Sequence, residues 1–263
     1  MKRRLYYAGI LVFAGLAAAG SLAAYWRIER FLIADARFTM VPPPEYGDAS
    51  PSLVIQGVRH ASRARVMNVF REDFGRSVYL LSLAERRRAL LAIDWVKEAS
   101  VSRIWPNTIQ VKIVERTPVA FLGTPSPADP AAPFALIDAD GVILRPQTPA
   151  RFALPVLVGV SPNAGQDLRR DRVRRMSRLL EELGALSEKV SEVDVSDPEN
   201  LQIMEQADGK ALVLILGNRN FLARLERFHQ RYPEIHKRLP EAGTFDLRLD
   251  DRITAVEANS SVQ

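Results

Sequence analysis

Between Leu5 and Trp26 the chain runs for 22 residues without a charge, LYYAGILVFAGLAAAGSLAAYW. As a helix this run is about 33 Å long, enough to cross the hydrocarbon core of a bilayer. Tyr6 and Tyr7 stand near one end and Tyr25 and Trp26 at the other, where amphipathic rings settle at the headgroup level. Lys2, Arg3 and Arg4 precede the run. The positive-inside rule therefore leaves a cytoplasmic tail at 1–4, a transmembrane helix at 5–26 in membrane lipid, and everything later on the far side. Arg27 and Arg30 oppose that bias, with Glu29 between them. A cleaved signal peptide is the competing reading, with Ala17, Ala18 and Ala19 as its small residues. Its apolar region would normally be about 7–15 residues, shorter than this run. Both readings export the remainder.

The exported remainder has the makings of a folded protein. Hydrophobic residues are 47% and charged residues 25% of the chain, which argues against wholesale disorder. The net charge of +5 invites a nucleic-acid partner, but the arginines alternate with Glu and Asp along predicted helices and lack aromatic platforms. Solvated helix faces are the better account, so no nucleic acid is expected. There is no cysteine, which excludes disulfide scaffolds, zinc–cysteine sites and thiol chemistry.

Residues 27–52 form a connector, extended or irregular through the Pro-rich PPPEYGDASP at 42–51. The first folded unit is expected at 53–122. Leu53–Val58 reads as a short strand. Ser62 can cap a helix running to about Phe74, which Gly75 ends. Ser82 and Glu85 make a capping box for a second helix. Then come two strands folded back on each other. Ala99, Val101 and Arg103 share one face of the first, and Ile109, Val111 and Ile113 share one face of the second. Trp105-Pro106-Asn107-Thr108 supplies the turn, with the proline pre-set for the second position of a type I turn. Pro118 lacks the N–H a central strand needs, so it closes the unit or moves the chain to a sheet edge. This βααββ order resembles a POTRA domain, the small module found beside bacterial membranes. Gly57, Gly75, Trp95 and the W-V-x-x-A-x-V-x-R run it opens carry the resemblance, together with Trp105-Pro106-Asn107 and the motif Glu115-Arg116-Thr117-Pro118.

A second domain is expected at 123–257, with a flexible tail at 258–263. A Pro/Ala loop at 125–133 opens it, followed by a hairpin over 134–144 turning at Asp140-Gly141. Asp138, Asp140 and Gly141 suggest an EF-hand, but the remaining acidic ligands are missing. Pro155–Val160 is a strand. Asp167–Leu183 is a helix with six outward arginines, and Val190–Val195, Leu201–Met204 and Ala211–Leu216 are strands. Asn220 can cap a last helix whose Phe221, Leu225, Phe228, Tyr232, Ile235 and Leu239 make one apolar stripe. Pro233 inside that stripe predicts a kink or a break. Thr244–Leu249 is a strand with Phe245, Leu247 and Leu249 on one face, and Ile253–Val256 prolongs the sheet. The fold class is thus α+β: one N-terminal transmembrane helix, a POTRA domain, and a mixed α/β domain with a largely antiparallel sheet.

In order and spacing these blocks resemble the FtsQ/DivIB family of bacterial cell-division proteins. Leu216-Gly217, Arg224-Leu225, Arg227-Phe228, Tyr232-Pro233 and Phe245-Asp246-Leu247-Arg248 carry that likeness in the C-terminal block. The resemblance implies a non-catalytic scaffold of the divisome, single-pass in the inner membrane at the division septum. Its partners would be FtsB/DivIC-like and FtsL-like proteins, the FtsB/DivIC-like one adding a strand to a free sheet edge, with the POTRA domain open to other divisome proteins. Applied here, that edge is Thr244, Phe245, Asp246, Leu247, Arg248 and Leu249, with Arg252 and Ile253 beside it. Phe245, Leu247 and Leu249 are equally readable as core residues of a last strand. Leu249 stands where the family pattern has an aromatic residue, and the four-residue cytoplasmic tail is shorter than family members often carry. The membrane anchor is bounded by Leu5, Tyr25 and Trp26.

Two other functions compete with this one. An anchored hydrolase would need a site, and His60, His229 and His236 lack partners at metal-ligand spacing. Gly159-Val160-Ser161 continues as Pro162-Asn163, so a nucleophile elbow is absent. No phosphate-binding glycine motif is present. No enzyme activity, metal or cofactor is expected. A role in export or outer-membrane protein assembly, which similar modules serve ahead of a membrane barrel, is the second reading. No series of membrane-facing strands of about ten residues supports it.

Overall fold

A computed structural model describes residues 2–44, 49–123, 135–146, 151–249 and 251–256, with backbone alone for 2–6 and 8–10. The Pro/Ala loop at 125–133 and the tail at 258–263 lie outside the described residues. The chain divides into two compact units, Met1–Glu115 and Arg116–Gln263.

The first unit opens with α1, Lys2–Ala34. Within it Leu11–Ala34 is long and apolar enough to cross a membrane. The helix continues eight residues beyond Trp26, so the irregular connector expected from residue 27 is a correction. Nothing in Arg27–Ala34 breaks a helix, since the stretch holds neither Gly nor Pro. Asp35 then stops it by accepting the Arg37 N–H at 2.9 Å, starting a short turn at Ala36–Phe38. Beyond it Met40 is fully buried, and its backbone bonds Arg76 and Gly75 at 2.9 and 2.8 Å. Much of the expected connector therefore belongs to the folded unit.

The POTRA elements follow in the expected order. They are β1 (Leu53–Gln56), α2 (Arg63–Asn68), α3 (Leu83–Leu91), β2 (Val96–Ile104) and β3 (Thr108–Glu115). The sheet order is β1-β3-β2, with β1 parallel and β2 antiparallel to β3. The hairpin pairs Ala99 with Ile113, Val101 with Val111 and Arg103 with Ile109, and the three apolar partners on β3 are buried under Val66, Phe70 and Leu90. Its turn carries a cis Trp105–Pro106 peptide in place of the type I turn expected. The first helix is also shorter than expected. Ser62 does cap it, but it ends at Asn68, and a separate turn at Arg71–Asp73 brings Asp73 to Arg86 at 2.6 Å. Ser82 stands at the start of α3 without a side-chain cap bond, so the expected capping box does not close.

The signature residues have structural work here. Gly57 has φ +85°, and a Cβ on it would lie 2.0 Å from the Ile113 carbonyl oxygen. The Glu115 carboxylate receives the backbone N–H groups of Arg59, His60 and Ala61 at 2.8–2.9 Å, a charge-assisted clasp between the end of β3 and the turn after β1. Trp95 is buried against the His60 ring. Gly75 has φ +80° in its turn.

Among the described residues the second unit has nine strands, in the order β12-β11-β10-β9-β8-β7-β4-β5-β6. These are β4 (Pro118–Leu122), β5 (Leu136–Asp138), β6 (Ile143–Leu144), β7 (Val156–Val158), β8 (Val190–Asp194), β9 (Leu201–Ala207), β10 (Lys210–Gly217), β11 (Thr244–Asp246) and β12 (Thr254–Ala255). Most neighbours are antiparallel; β4–β7, β7–β8 and β10–β11 are parallel. Strand β4 sits between β5 and β7. The first unit therefore ends at Glu115 and not at Leu122, and Pro118 opens an interior strand of the second sheet. At the first residue of a strand its missing N–H is tolerated. Asp138 accepts the N–H groups of Asp140 and Val142 and a guanidinium N–H of Arg116. Its carboxylate closes a hairpin turn.

Helices α4 (Gln166–Leu183) and α5 (Phe221–Arg238) share the main core with the sheet. The side chain of Asn220 does not cap α5; Glu182 Oε1 receives the Phe221 N–H at 2.7 Å instead. Nor does Pro233 break that helix, which is continuous over 18 residues. Phe228 and Tyr232, before the proline, stack on Phe245, and that burial outweighs one lost backbone bond. Gly57→Ala should destabilise the first unit by about 1–3 kcal/mol, the cost of a strained backbone site, read from urea unfolding, whereas Gly75→Ala, with open space around it, should cost less.

Candidate functional site: the C-terminal rim of the sheet

The candidate edge at Thr244–Leu249 is not an edge. Strand β11 covers Thr244–Asp246 alone and is paired on both sides. Val213, Leu214 and Ile215 of β10 lie parallel to it, and Ala255 and Thr254 of β12 lie antiparallel. The chain turns back after Leu249 and lays its own Thr254–Ala255 on the margin, helped by Ile253 and Ala255, both packed against the core. The rim has moved outward by one strand.

Among the described residues, strand β12 is the outermost on this side of the sheet. Val256 N–H donates to Thr244 O at 2.9 Å, which sets the phase of the ladder. Residues of an antiparallel strand alternate between facing the partner and facing away. Ala255, between the bonded positions, therefore turns its N–H and C=O to the open side. Beneath this rim lies a groove of about 860 Å³ lined by Leu239, Pro240, Ala242, Thr244, Ala255 and Val256, with Glu241 at its mouth. The groove wall is held in place. Val213 N–H bonds Gly243 O at 2.8 Å, and Lys210 Nζ reaches Pro240 O at 2.9 Å and Glu241 at 3.3 Å.

The other candidate residues divide by role. Phe245 and Leu247 are buried, Phe245 inside the ring cluster of Phe228 and Tyr232; they are core. Arg248, expected to await an acidic partner, is engaged within the chain. Its guanidinium bonds Asp246 at 2.6 and 3.0 Å and Asn200 Oδ1 at 2.6 Å, and its own N–H bonds Asp246 Oδ1 at 3.0 Å. Leu249 is 47% exposed. Arg252 is exposed, with Asp251 at 3.6 Å, and so is the cation of the set best placed for another molecule. Of the anchor residues, Tyr25 and Trp26 are exposed on α1.

Sequence patterns marked Arg224 and Arg227 without giving them a task. Arg224, buried on α5, donates to Leu216 O at 2.6 Å and to Arg248 O at 2.8 Å. Arg227 reaches Leu249 O at 3.3 Å. The pair ties the path after β11 to the helix and to the end of β10. Gly217 is part of the same fit, since a Cβ there would come within 2.9 Å of Arg224 Nη1. The tell-tale was an arginine at the position of an apolar stripe, where a charge needs buried acceptors.

The three histidines are accounted for structurally. His229 Nε2 lies 2.8 Å from the buried Glu205, and the rings of His236 and His60 lie on Tyr232 and Trp95. Among the described residues no group of three or more His, Asp or Glu is disposed to hold a metal ion.

The βααββ unit with its glycines and its Glu115 clasp, joined to a sheet with a terminal rim, defines a POTRA-bearing protein with one apolar N-terminal helix. Comparison with known proteins agrees. Residues 51–116 match the POTRA domain of FtsQ type, and residues 131–248 match the C-terminal domain of the cell division protein FtsQ/DivIB. The chain is 33% identical over 213 residues to cell division protein FtsQ of Koribacter versatilis, covering 78% of this chain and 59% of that protein. The FtsQ of Novosphingobium aromaticivorans is 32% identical, covering 76% and 59%, and that of Nitrosospira multiformis 26%, covering 73% of each. The chain belongs to the FtsQ/DivIB family of cell-division proteins. It spans about three-fifths of the length of the first two relatives.

The charge at the rim sets a pH dependence. Hydrogen bonds from the Arg248 guanidinium and N–H hold the Asp246 carboxyl below its ordinary range, against the desolvation of partial burial. A depressed folded pKa gives stability that is complete above the unfolded value, about 3.9, and is lost as pH falls through the folded value. Corrected for intrinsic rates, the hydrogen-exchange protection of the 247–249 and 254–256 amides should fall below about pH 4, and Asp246→Asn should abolish that acid response. Arg224→Met should weaken the same segment at all pH by about 1.5–3 kcal/mol, the worth of a hydrogen bond to a charged group, measured by the same exchange.

Proposed function

We propose that this chain is a bitopic, non-catalytic scaffold of the divisome that accepts an extended segment of an FtsB/DivIC-like partner, itself associated with an FtsL-like protein, on the outer side of β12. Membership of a cell-division family supports the process. The observation that carries the mode of binding is the outward N–H and C=O of Ala255 on a two-residue terminal strand, above an apolar groove. A partner strand would continue the ladder through main-chain bonds, and its alternate side chains would read the groove. Arg252 would meet an acidic residue flanking that segment. Thr244, Phe245, Asp246, Leu247 and Arg248 then hold the rim in place, while Leu249, Ile253 and the strand after it face or support the partner. On this reading α1 holds the protein in the inner membrane with its N-terminus in the cytoplasm, at the septum.

Proline at position 255 tests the mode directly. The Ala255 N–H makes no bond within the sheet on this geometry, and proline is tolerated on an edge strand with that group outward. Ala255→Pro should leave the circular dichroism and unfolding midpoint close to wild type and lower affinity for the partner's periplasmic segment by about tenfold, the loss of one main-chain bond and of the strand's shape. Arg252→Glu should weaken binding less and in a salt-dependent way. Unchanged affinity in Ala255→Pro would overturn the mode. Depleting the protein should give undivided filaments with normal envelope-protein export; the reverse pattern would favour the export reading.

A further inference from the structure

Helix α1 outlasts its uncharged run, and the POTRA unit is fastened to the overhang. Ser77 Oγ donates to the Leu32 carbonyl at 2.7 Å, one of the last-turn oxygens that a helix leaves without an internal partner. Two residues on, the Tyr79 hydroxyl lies near that of Tyr25, whose influence raises its pKa above the ordinary tyrosine range. Leu32 and Tyr25 are about 10 Å apart along a helix axis. The chain from Ser77 through the Tyr79 ring thus runs down α1 toward the bilayer, to the aromatic pair Tyr25-Trp26 where the uncharged run ends.

What this loop exposes is apolar. Leu80 is 46% exposed, and at the tip of the β2–β3 hairpin Ile104 and Trp105 are 45% and 51% exposed. The two parts are one body, because the Arg103 guanidinium donates to the carbonyls of Val78 at 2.6 Å, Tyr79 at 3.1 Å and Leu81. Trp105 also packs edge-on against Phe38, and Phe38 against Phe31 of α1, each at 5.6 Å. Clustered exposed apolar side chains mark a contact with something. Their continuity with a membrane-spanning helix, through Ser77 at Leu32 and through Trp105 and Phe38 at Phe31, says what. On α1 itself Trp26, Arg27 and Arg30 line a shallow groove, where guanidinium groups would meet phosphates.

We propose that the POTRA unit stands on the membrane, with the Val78–Leu81 loop and the hairpin tip seated in the phospholipid interface, Leu80 entering the acyl boundary beside Tyr25 and Trp26. The partner is the lipid surface, and the unit's orientation is set by it. This rests on reading α1 as a membrane span.

The chain has no cysteine, so single-cysteine variants of the full chain can be labelled cleanly with an environment-sensitive fluorophore. Leu80→Cys and Ile104→Cys probe the foot. Leu16→Cys probes the span. Lys97→Cys, at the opposite end of β2 from Ile104, probes the far side. After reconstitution in phosphatidylethanolamine–phosphatidylglycerol vesicles, the labels at 80 and 104 should emit to the blue of that at 97. They should be quenched by nitroxide lipids and protected from aqueous iodide. Ser77→Ala combined with Tyr79→Phe should reduce that lipid quenching. Labels at 80 and 104 that behave like 97, while 16 is quenched by lipid, would overturn the proposal alone. A label at 16 that lipid does not quench would overturn the span and the proposal with it.

Discussion

A β-sheet has to end, and the last strand leaves one row of N–H and C=O groups facing outward. Among the described residues of the second unit, β6 ends the sheet on one side and β12 on the other, the latter two residues long and held to β11 by a short ladder. Left to water, such a strand would fray at little cost. Here it is carried on a segment that charged side chains have fixed: Arg224 and Arg227 grip the carbonyls of Arg248 and Leu249, and Arg248 in turn grips Asp246 and Asn200. The result is a pre-shaped rim on a rigid base, which lowers the ordering cost that a joining strand has to meet.

The same device recurs in the first unit. Buried or half-buried charges satisfy backbone groups where regular structure stops. Glu115 receives three N–H groups of the 59–61 turn, and the Arg103 guanidinium donates to three carbonyls of the 78–81 loop. Each substitutes for a ladder or helix bond that the local chain cannot make. Glu115 and Arg116 are neighbours in sequence, and each serves its own unit, Arg116 through Asp138. That explains why the motif Glu-Arg-Thr-Pro marks the end of one unit and the start of the next.

Much of this was legible in the residues. The hairpin register, the order of POTRA elements, the main helices and the strands from Val190 onward follow from period-two and three/four spacing. The errors have physical causes. The resemblance put the free edge at Thr244–Leu249 and left Ile253–Val256 as a mere prolongation of the sheet, whereas Thr254–Ala255 within that stretch pairs outside β11 and becomes the margin. Arg248 and Asp246 share one face of the stretch, and reading both as outward for a partner overlooked that they pair with each other, with Asn200, 48 residues away, completing the set. Pro118 read as a terminator although it starts an interior strand. The connector after Trp26 read as irregular from its Pro-rich second half, although Arg27–Ala34 holds no helix breaker and Ser77 caps its Leu32 carbonyl, a contact that no local spacing reveals.

The central claim is that the outer side of β12 is open in the free protein and closed by a partner strand. Residue-resolved amide hydrogen exchange at Ala255, with and without the partner's periplasmic segment, tests it most directly. The account predicts fast exchange at Ala255 beside slower exchange at Val256 in the free chain, and strong protection of Ala255 when the segment binds. An Ala255 amide already protected in the free chain, or one left unprotected in the complex, would contradict it.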